Sequence, residues 1–416
     1  DEGLDAPIAE TAERFLAETR DYWQEWSRYL SVPFEWQDVV IRSAITLKLC
    51  SYEETGGIIA AMTTSLPEHH NSGRTWDYRF CWLRDAYFTV HALNRLGATR
   101  TMEDYIRYIA NVAALDPDGR LNPLYGIVPG TPLDEKSMPA LGGYRGNQPV
   151  RVGNGAATQI QNDGYGSVVL AAAQMFFDRR LPRQGDRALF ELLESVGEKA
   201  VKYAFEPDAG LWEYRGSTSV RTYTVVMCWA ACDRLMKIAR VLELPERAAY
   251  WREHAQSLRR AILEQGWNSQ RNSFVESFGG SHVDASLLLL HEVGFVAAND
   301  PRFVGTVKAI EEELLRGKLL FRYAIPDDFG VPETAFLTCT FWYVDALHAM
   351  GRKEEARAIF EHLLSLRNPA GLLSEDVSLG DKPELWGNIP QTYCMVGLIV
   401  SAMRLSKGWE EAFWRG

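Results

Sequence analysis

No apolar run in the sequence approaches the roughly 18 residues that a membrane-crossing helix requires, so nothing reads as a transmembrane helix. Basic excess is also missing. With 44 Lys and Arg against 55 Asp and Glu, the formal charge is −11, the wrong sign for a protein that holds nucleic acid on a basic face. The six Cys form no CxxC pair and sit in apolar surroundings such as "TVVMCWAACDRL" and "FLTCTFW". They read as buried free thiols, which fits a reducing cytoplasmic setting, as does the absence of any Asn-x-Ser/Thr sequon. The eight His show no zinc-ligand spacing, and no metal is expected. The Gly-rich "GGYRGNQPVRVGNG" (142–155) has neither a P-loop Lys nor Rossmann spacing, so no nucleotide cofactor is expected. "DPDG" (116–119) and "PDD" (326–328) lack an EF-hand pattern and read as turns. Residue 1 is Asp and no signal peptide is visible, which reads as a processed chain, an excised segment or the later part of a longer one.

Helical periodicity fills the space left by these absences. From Pro245, a favoured first helical residue, Trp251, Ala255, Leu258 and Ile262 form one stripe, and Gly266 is a stop signal. A second stripe holds Ala356, Ile359, Phe360, Leu363 and Leu366, ending at Asn-Pro. A leading helix carries Phe15, Trp23, Trp26 and Leu30. Segments 225–240, 283–293, 336–349 and 391–404 are apolar on most faces and are predicted as buried helices. Alternating strand patterns are scarce. Loops such as "EPDAGLWEYRG", "RYAIPDDFGVPE" and "NPAGLLSED" recur about once per helix pair, the rhythm of stacked helical hairpins with functional loops gathered at one end. A plain α-solenoid is the alternative, but its turns have no need of Trp212, Tyr214, Phe321 and Tyr323. Without a linker or low-complexity tract, residues 1–416 read as a single domain, with 1–45 as its leading helix region.

Thirteen Trp is a high count, and Trp76, Trp82, Trp212 and Trp386 stand in loops beside charged residues. Flat aromatic faces with carboxylates and Arg around them suit a sugar: ring C–H faces stack on indole, and ionised groups orient the hydroxyls. Acidic candidates are Glu213 in "GLWEYRG", Glu333 in "GVPETAF" and Glu375–Asp376 in "GLLSEDV". Glycoside hydrolysis needs two carboxyls with different duties, one donating a proton to the leaving oxygen and one activating water or attacking the sugar. Flanking Trp212 and Tyr214 would raise the Glu213 pKa by desolvation, and Arg215 would lower it. In "TWDYRFCWLRDAYFTV" (75–90), Asp85 is favoured at a helix start, whereas Arg79 and Arg84 are not and require carboxylate partners or a ligand. Asp77 and Arg79 are expected to pair with each other.

The chain resembles the catalytic domain of glycoside hydrolase family 15, the glucoamylase, glucodextranase and trehalase group, in its bacterial and archaeal branch. The resemblance is carried in order by "TTSLPE", "WDYRFCWLRDA", "QNDGYG", "GLWEYRG", "VDASLLLL", "FRYAIPDDFGVPETAF" and "GLLSED…LWGNIPQTY". It implies an all-α fold, an (α/α)6 barrel, and hydrolysis with inversion by carboxyls about 6.5–9.5 Å apart. By motif, Glu213 matches the general acid and Glu375 the general base. Arg84 and Asp85 match the clamp on a terminal glucose, Trp82 and Tyr78 the pocket wall, and Arg322 a further sugar-binding residue. Asp163, Trp212 and Glu333 are their expected neighbours. The branch also implies an N-terminal β-sandwich domain, which this segment lacks, and loops around 128–150 that shape the outer subsites.

The leading expectation is an exo-acting inverting hydrolase of glucoamylase type, taking glucose from the non-reducing end of an α-glucan oligosaccharide or disaccharide. A trehalase of the same family is the alternative. A disaccharide phosphorylase would replace the base with phosphate, and a non-catalytic glucan-binding or regulatory domain would need neither Glu213 nor Glu375.

Overall fold

The computed structural model of the chain describes residues 3, 6–115, 120–128 and 130–414; the expected turn at 116–119 lies outside them. Its α-helices in chain order are α1 (Ile8–Arg28), α2 (Gln37–Cys50), α3 (Leu83–Arg95), α4 (Arg100–Leu115), α5 (Asp163–Ala173), α6 (Arg187–Tyr203) and α7 (Thr222–Val241). They continue with α8 (Pro245–Gln265), α9 (Leu289–Glu292), α10 (Pro301–Leu314), α11 (Leu337–Ala349), α12 (Lys353–Ser365), α13 (Thr392–Leu405) and α14 (Trp409–Trp414).

Hydrophobic patterning sorts these helices into two rings. Every residue of α5 is buried, and α7, α11 and α13 are buried on most faces, because their sequences are apolar all round. Together with α3 and α9 they form a closed inner ring in which α3 packs on α5, α5 on α7, α7 on α9, α9 on α11, α11 on α13, and α13 again on α3. The amphipathic helices α2, α4, α6, α8, α10 and α12 form the outer ring, so the fold is an (α/α)6 barrel. On α8, the predicted stripe of Trp251, Ala255, Leu258 and Ile262 is buried, and Gly266 follows the last turn. On α12, Ala356, Ile359, Phe360 and Leu363 are buried, while Leu366 is half-buried beyond the helix end. Since α2 belongs to the outer ring, the leading region ends before Gln37, earlier than the expected residue 45. All six Cys are buried and unpaired, and no helix among the described residues is long and apolar enough to cross a membrane.

One expected helix is shorter than predicted. Instead of a continuous helix over 283–293, Ala285–Leu288 is a 3-10 turn and α9 is a single α-turn after it. The Asp284 carboxylate accepts from the Ser286 amide at 2.9 Å, tightening the start, and Gly294 at φ +81° ends the segment.

All six inner helices begin at the same end of the barrel, where buried N–H groups at helix starts need acceptors. Loop carbonyls supply most of them. Leu83 N donates to Pro123 O at 3.1 Å, Thr222 N to Glu276 O at 2.9 Å, and Ala285 N to Arg322 O at 2.9 Å. Leu337 N reaches Glu375 O at 2.9 Å, and Thr392 N reaches Ala60 O at 2.9 Å. Ahead of α5, the Asp208 carboxylate takes the Asn162 amide at 2.8 Å. Each loop is thereby tied to an inner helix start. The few strands are short ladders among these loops, including Ala335–Phe336 paired with Asp376–Val377, which pairs in turn with Leu385–Trp386.

Inner helices approach closely where side chains are absent. A Cβ at Gly166 would stand 2.4 Å from the Met227 carbonyl oxygen of α7, a backbone atom that cannot step aside. Gly166→Ala is therefore expected to destabilise the barrel by about 1–3 kcal/mol through overpacking, measured as a lowered urea midpoint with unchanged slope.

Candidate functional site

At the loop end of the barrel lies an open pocket of about 850 Å³, lined by Tyr78, Trp82, Arg84, Asp85, Trp212, Glu213, Arg322 and Glu375. Its floor is the start of α3. Arg84 and Asp85 occupy the first turn and are 6% and 5% exposed. The Arg84 guanidinium donates to Gln161 Oε1 at 2.8 Å and to Asp163 Oδ2 at 3.3 Å, which resolves its unfavourable place at a helix start through carboxylate and amide partners. Burial pushes the Asp85 carboxyl up to about 7, with Arg84 opposing. Asp163 lies beneath this floor as a partner of Arg84 and does not face the cavity.

Glu213 stands on one wall at φ +60°, a left-handed conformation that costs about 1–3 kcal/mol for a residue with a Cβ. The strain is held by the Glu213 amide on Gly210 O at 3.0 Å and by Gln159 Nε2 on the Glu213 carbonyl at 3.1 Å. Its Oε1 accepts from Trp82 Nε1 at 2.6 Å, Gln161 Nε2 at 3.2 Å and Arg84 Nη2 at 3.3 Å. Arg215 does not pair with Glu213: its guanidinium turns away to Glu135, at 2.9 and 2.6 Å, and lies over the Trp76 ring at 4.4 Å. Arg84 is the cation that reaches Glu213.

Glu375 lines the same pocket from the strand segment before α13 and is 2% exposed. Its Oε1 accepts from the Tyr78 hydroxyl at 2.6 Å. The Tyr78 and Trp82 rings meet edge to face at 5.5 Å, so two adjacent aromatics each hold one carboxyl by a hydrogen bond. Asp376 and Glu68 crowd Glu375, the three offering oxygens within 4.8 Å of one another. Burial, then the Asp376 and Glu68 charges, hold the Glu375 carboxyl well above the ordinary carboxylate range, opposed by Tyr78 and Arg322. Burial and Glu68 raise Asp376 likewise. Two such groups resist simultaneous ionisation, so the pair retains a proton where an exposed carboxyl would have lost it.

Sequence reasoning missed Glu68, whose Oε2 accepts from Arg322 Nη2 at 2.5 Å and Oε1 from Trp76 Nε1 at 3.0 Å. It also missed Arg74, Tyr323 and Tyr393 as pocket-lining residues. Glu68 closes the "TTSLPE" motif, the one local signal that could have nominated it. Trp212 stands in the wall, its Nε1 on Asp284 at 2.8 Å. Glu333 is not brought in: its side chain is 73% exposed, 3.9 Å from His69, because alternation along 332–334 buries Pro332 and Thr334 and turns it outward. Arg79 pairs with buried Asp77 at 2.9 and 2.8 Å outside the pocket, and Trp386 packs instead on Tyr144 and Arg145. Of the loops around 128–150, Arg145 holds Glu384 at 3.0 Å, away from the cavity lining.

Several polar atoms in the pocket lining are buried without a hydrogen-bond partner: Arg84 Nε, Asp85 Oδ2, Arg322 Nε, Glu375 Oε2 and the Tyr393 hydroxyl; the first two face each other as an ion pair at 4.0 Å. Unsatisfied groups gathered on one cavity are what a polyhydroxylated ligand would complete.

A sequence profile of the family described as Glycosyl hydrolases family 15 matches residues 36–402. A trehalase of Thermoplasma volcanium is 36% identical over 398 residues, 94% of this chain and 62% of that protein. A trehalase of Mycobacterium tuberculosis is 36% identical over 401 residues, 95% of this chain and 58% of that protein. The chain thus spans about three-fifths of the length of these curated relatives. Among solved structures, a bacterial glucoamylase complexed with acarbose superposes with a TM-score of 0.69 at 16% identity, over 97% of this chain and 62% of that one. At that identity the likeness is one of fold.

The orphaned pocket atoms generate a direct expectation. Glucose is expected to raise the melting temperature by an amount that grows with the logarithm of its concentration above Kd, and Asp85→Ala to abolish the shift. Calorimetric melting with and without glucose reads both.

Proposed function

The chain belongs to glycosyl hydrolase family 15, and from that premise we propose that it hydrolyses α,α-trehalose with inversion. The observation carrying this reading is the set of relatives named trehalase, 36% identical across 94–96% of this chain. Sequence motifs alone put a glucan first and trehalose second, and these relatives reverse that order. The pocket chemistry supports the reaction class.

One glucose would rest on Arg84 and Asp85, its hydroxyls completing the unpartnered atoms of the floor. Glu213 would donate its proton to the bridging oxygen. Glu375 would take a proton from a water that attacks C1 from the opposite face, so the bond forms to water as the C1–oxygen bond breaks. The resulting sugar is β-glucose, and the leaving glucose keeps its α configuration. After turnover Glu213 is ionised and Glu375 protonated, and exchange with solvent resets both. Crowding by Asp376 and Glu68 sets the pH at which Glu375 becomes ionised and competent.

Assays on trehalose, maltose, isomaltose and maltooligosaccharides test this reading. Trehalose is expected to be the best substrate without added phosphate, giving α- and β-glucose in equal amounts by NMR at early times. Glucose release from the glucans alone would restore the glucoamylase reading, and release from none would sink the hydrolase. Glu213→Gln and Glu375→Gln are each expected to lower kcat by about 10²–10⁴-fold.

The pH profile carries a signed prediction. Because the Glu375 carboxyl is raised, the acidic limb of kcat/KM lies above the ordinary carboxylate range. Asp376→Asn removes a neighbouring anion and is expected to move that limb to lower pH. Tyr78→Phe removes a donor that favours the ionised form and is expected to move it higher.

A further inference from the structure

From floor to rim the pocket changes character. Arg84, Asp85 and Tyr393 at its base are 6%, 5% and 6% exposed, whereas Arg215 and Asp328 at the other end reach solvent. Across that outer end runs the turn Asp327–Gly330, closed by reciprocal backbone bonds between Asp327 and Gly330, both 3.1 Å. Gly330 at φ +91° permits the reversal, and the Phe329 amide donates to Asp327 Oδ1 at 2.8 Å.

The turn is anchored far more firmly than a surface loop needs. Arg74, buried in the protein, grips Asp327 through two bonds of 2.6 and 2.5 Å and reaches the Gly330 carbonyl at 2.8 Å. The Tyr323 hydroxyl adds a further bond to Asp327. On its other side Asp328 Oδ2 accepts the amides of Arg215 and Gly216 at 2.8 and 2.9 Å, on the loop that carries Glu213. A Cβ at Gly216 would stand 2.2 Å from the Asp328 carboxylate, so this docking depends on glycine there. Phe329 packs edge to face on Trp76 at 5.3 Å, and Trp76 is itself clamped between Arg151 and Arg215 at 4.8 and 4.4 Å. Asp327, Asp328 and Phe329 all line the cavity.

We propose that the Asp327–Gly330 turn is a fixed outer wall that ends the pocket after two sugar units, so that a free disaccharide is accepted and a third sugar is turned away. This rests on the trehalase reading, and it assigns the length limit to Asp328 and Phe329. The turn spans the Trp76 wall and the Glu213 loop with polar bonds on both sides, so it cannot swing aside without breaking a buried ion pair. A sugar attached beyond the second ring would meet the Phe329 ring and the Asp328 carboxylate.

The test compares trehalose with trehalose bearing one further α-1,4-linked glucose on a single ring. The readout is the trisaccharide-to-disaccharide ratio of kcat/KM for wild type, Phe329→Ala and Asp328→Ala. Both variants keep Asp327, Arg74 and Gly330, and thermal melting confirms their folding. The wild-type ratio is expected to be roughly one-tenth or less, and at least one variant is expected to raise it about tenfold. A wild-type ratio near one, or variant ratios equal to a low wild-type ratio, would overturn the proposal. If neither sugar is cleaved, the trehalase reading fails, and calorimetric titration of the same two sugars still decides the wall. Preferential disaccharide binding that Phe329→Ala relaxes supports it, and equal binding of both sugars by wild type refutes it.

Discussion

Everything at the pocket depends on the need of buried amides at the inner helix starts for acceptors. A buried N–H without a partner is costly, and the first turn of each helix offers several. Here the acceptors are carbonyls of the residues that build the site. The Arg322 carbonyl receives the amide of Ala285, and the Glu375 carbonyl receives that of Leu337, the start of α11. The backbones of a sugar-binding candidate and of the proposed base are therefore fixed by the barrel itself, before any side-chain contact is counted. The same convergence brings the positive ends of the inner helices together beneath a cavity rich in carboxylates, where each dipole favours negative charge.

Given that framework, the side chains can be held in arrangements that a less constrained protein would abandon. Glu213 keeps a left-handed backbone, and Glu375 keeps a carboxyl among two others. Arg84 Nε and Asp85 Oδ2 stay buried without a hydrogen bond, 4.0 Å apart. Each feature is unfavourable in itself and is held in place by the surrounding fold. The guanidiniums of Arg84, Arg322 and Arg74 divide the pocket acids: Arg84 faces Glu213, Asp163 and Asp85, Arg322 holds Glu68, and Arg74 holds Asp327 while also standing 3.9 Å from Glu68. That division lets acids of the same pocket differ in environment.

The barrel was legible in the sequence because its two rings differ in hydrophobic period: α5, α7, α11 and α13 are apolar all round, and α8 and α12 carry a single stripe. The segment 283–293 was overread, since an apolar run cannot reveal that Asp284 tightens its first turn into 3-10 geometry. In the site, acid-bearing turn loops offered Glu213, beside two aromatics, and Glu375, and both line the pocket. Glu333, offered on the same grounds, is turned outward in the irregular segment just before the Ala335–Phe336 strand, between buried Pro332 and Thr334. Partners distant in sequence were beyond reach: Glu68 meets Arg322 across 254 positions, and nothing local announces that pairing. Arg215 shows the reverse error. Adjacency suggested a pull on Glu213, while the fold sends its guanidinium to Glu135.

The central claim is that a terminal glucose sits on the α3 start with its anomeric carbon between Glu213 and Glu375. A crystal structure of the Glu213→Gln protein with trehalose tests this most directly. The account predicts one glucose with hydroxyls in hydrogen-bond distance of Arg84 Nε and Asp85 Oδ2, and a water between its C1 and Glu375. A disaccharide bound elsewhere, or bound in the pocket with Arg84 and Asp85 uncontacted and Glu375 remote from C1, would contradict it.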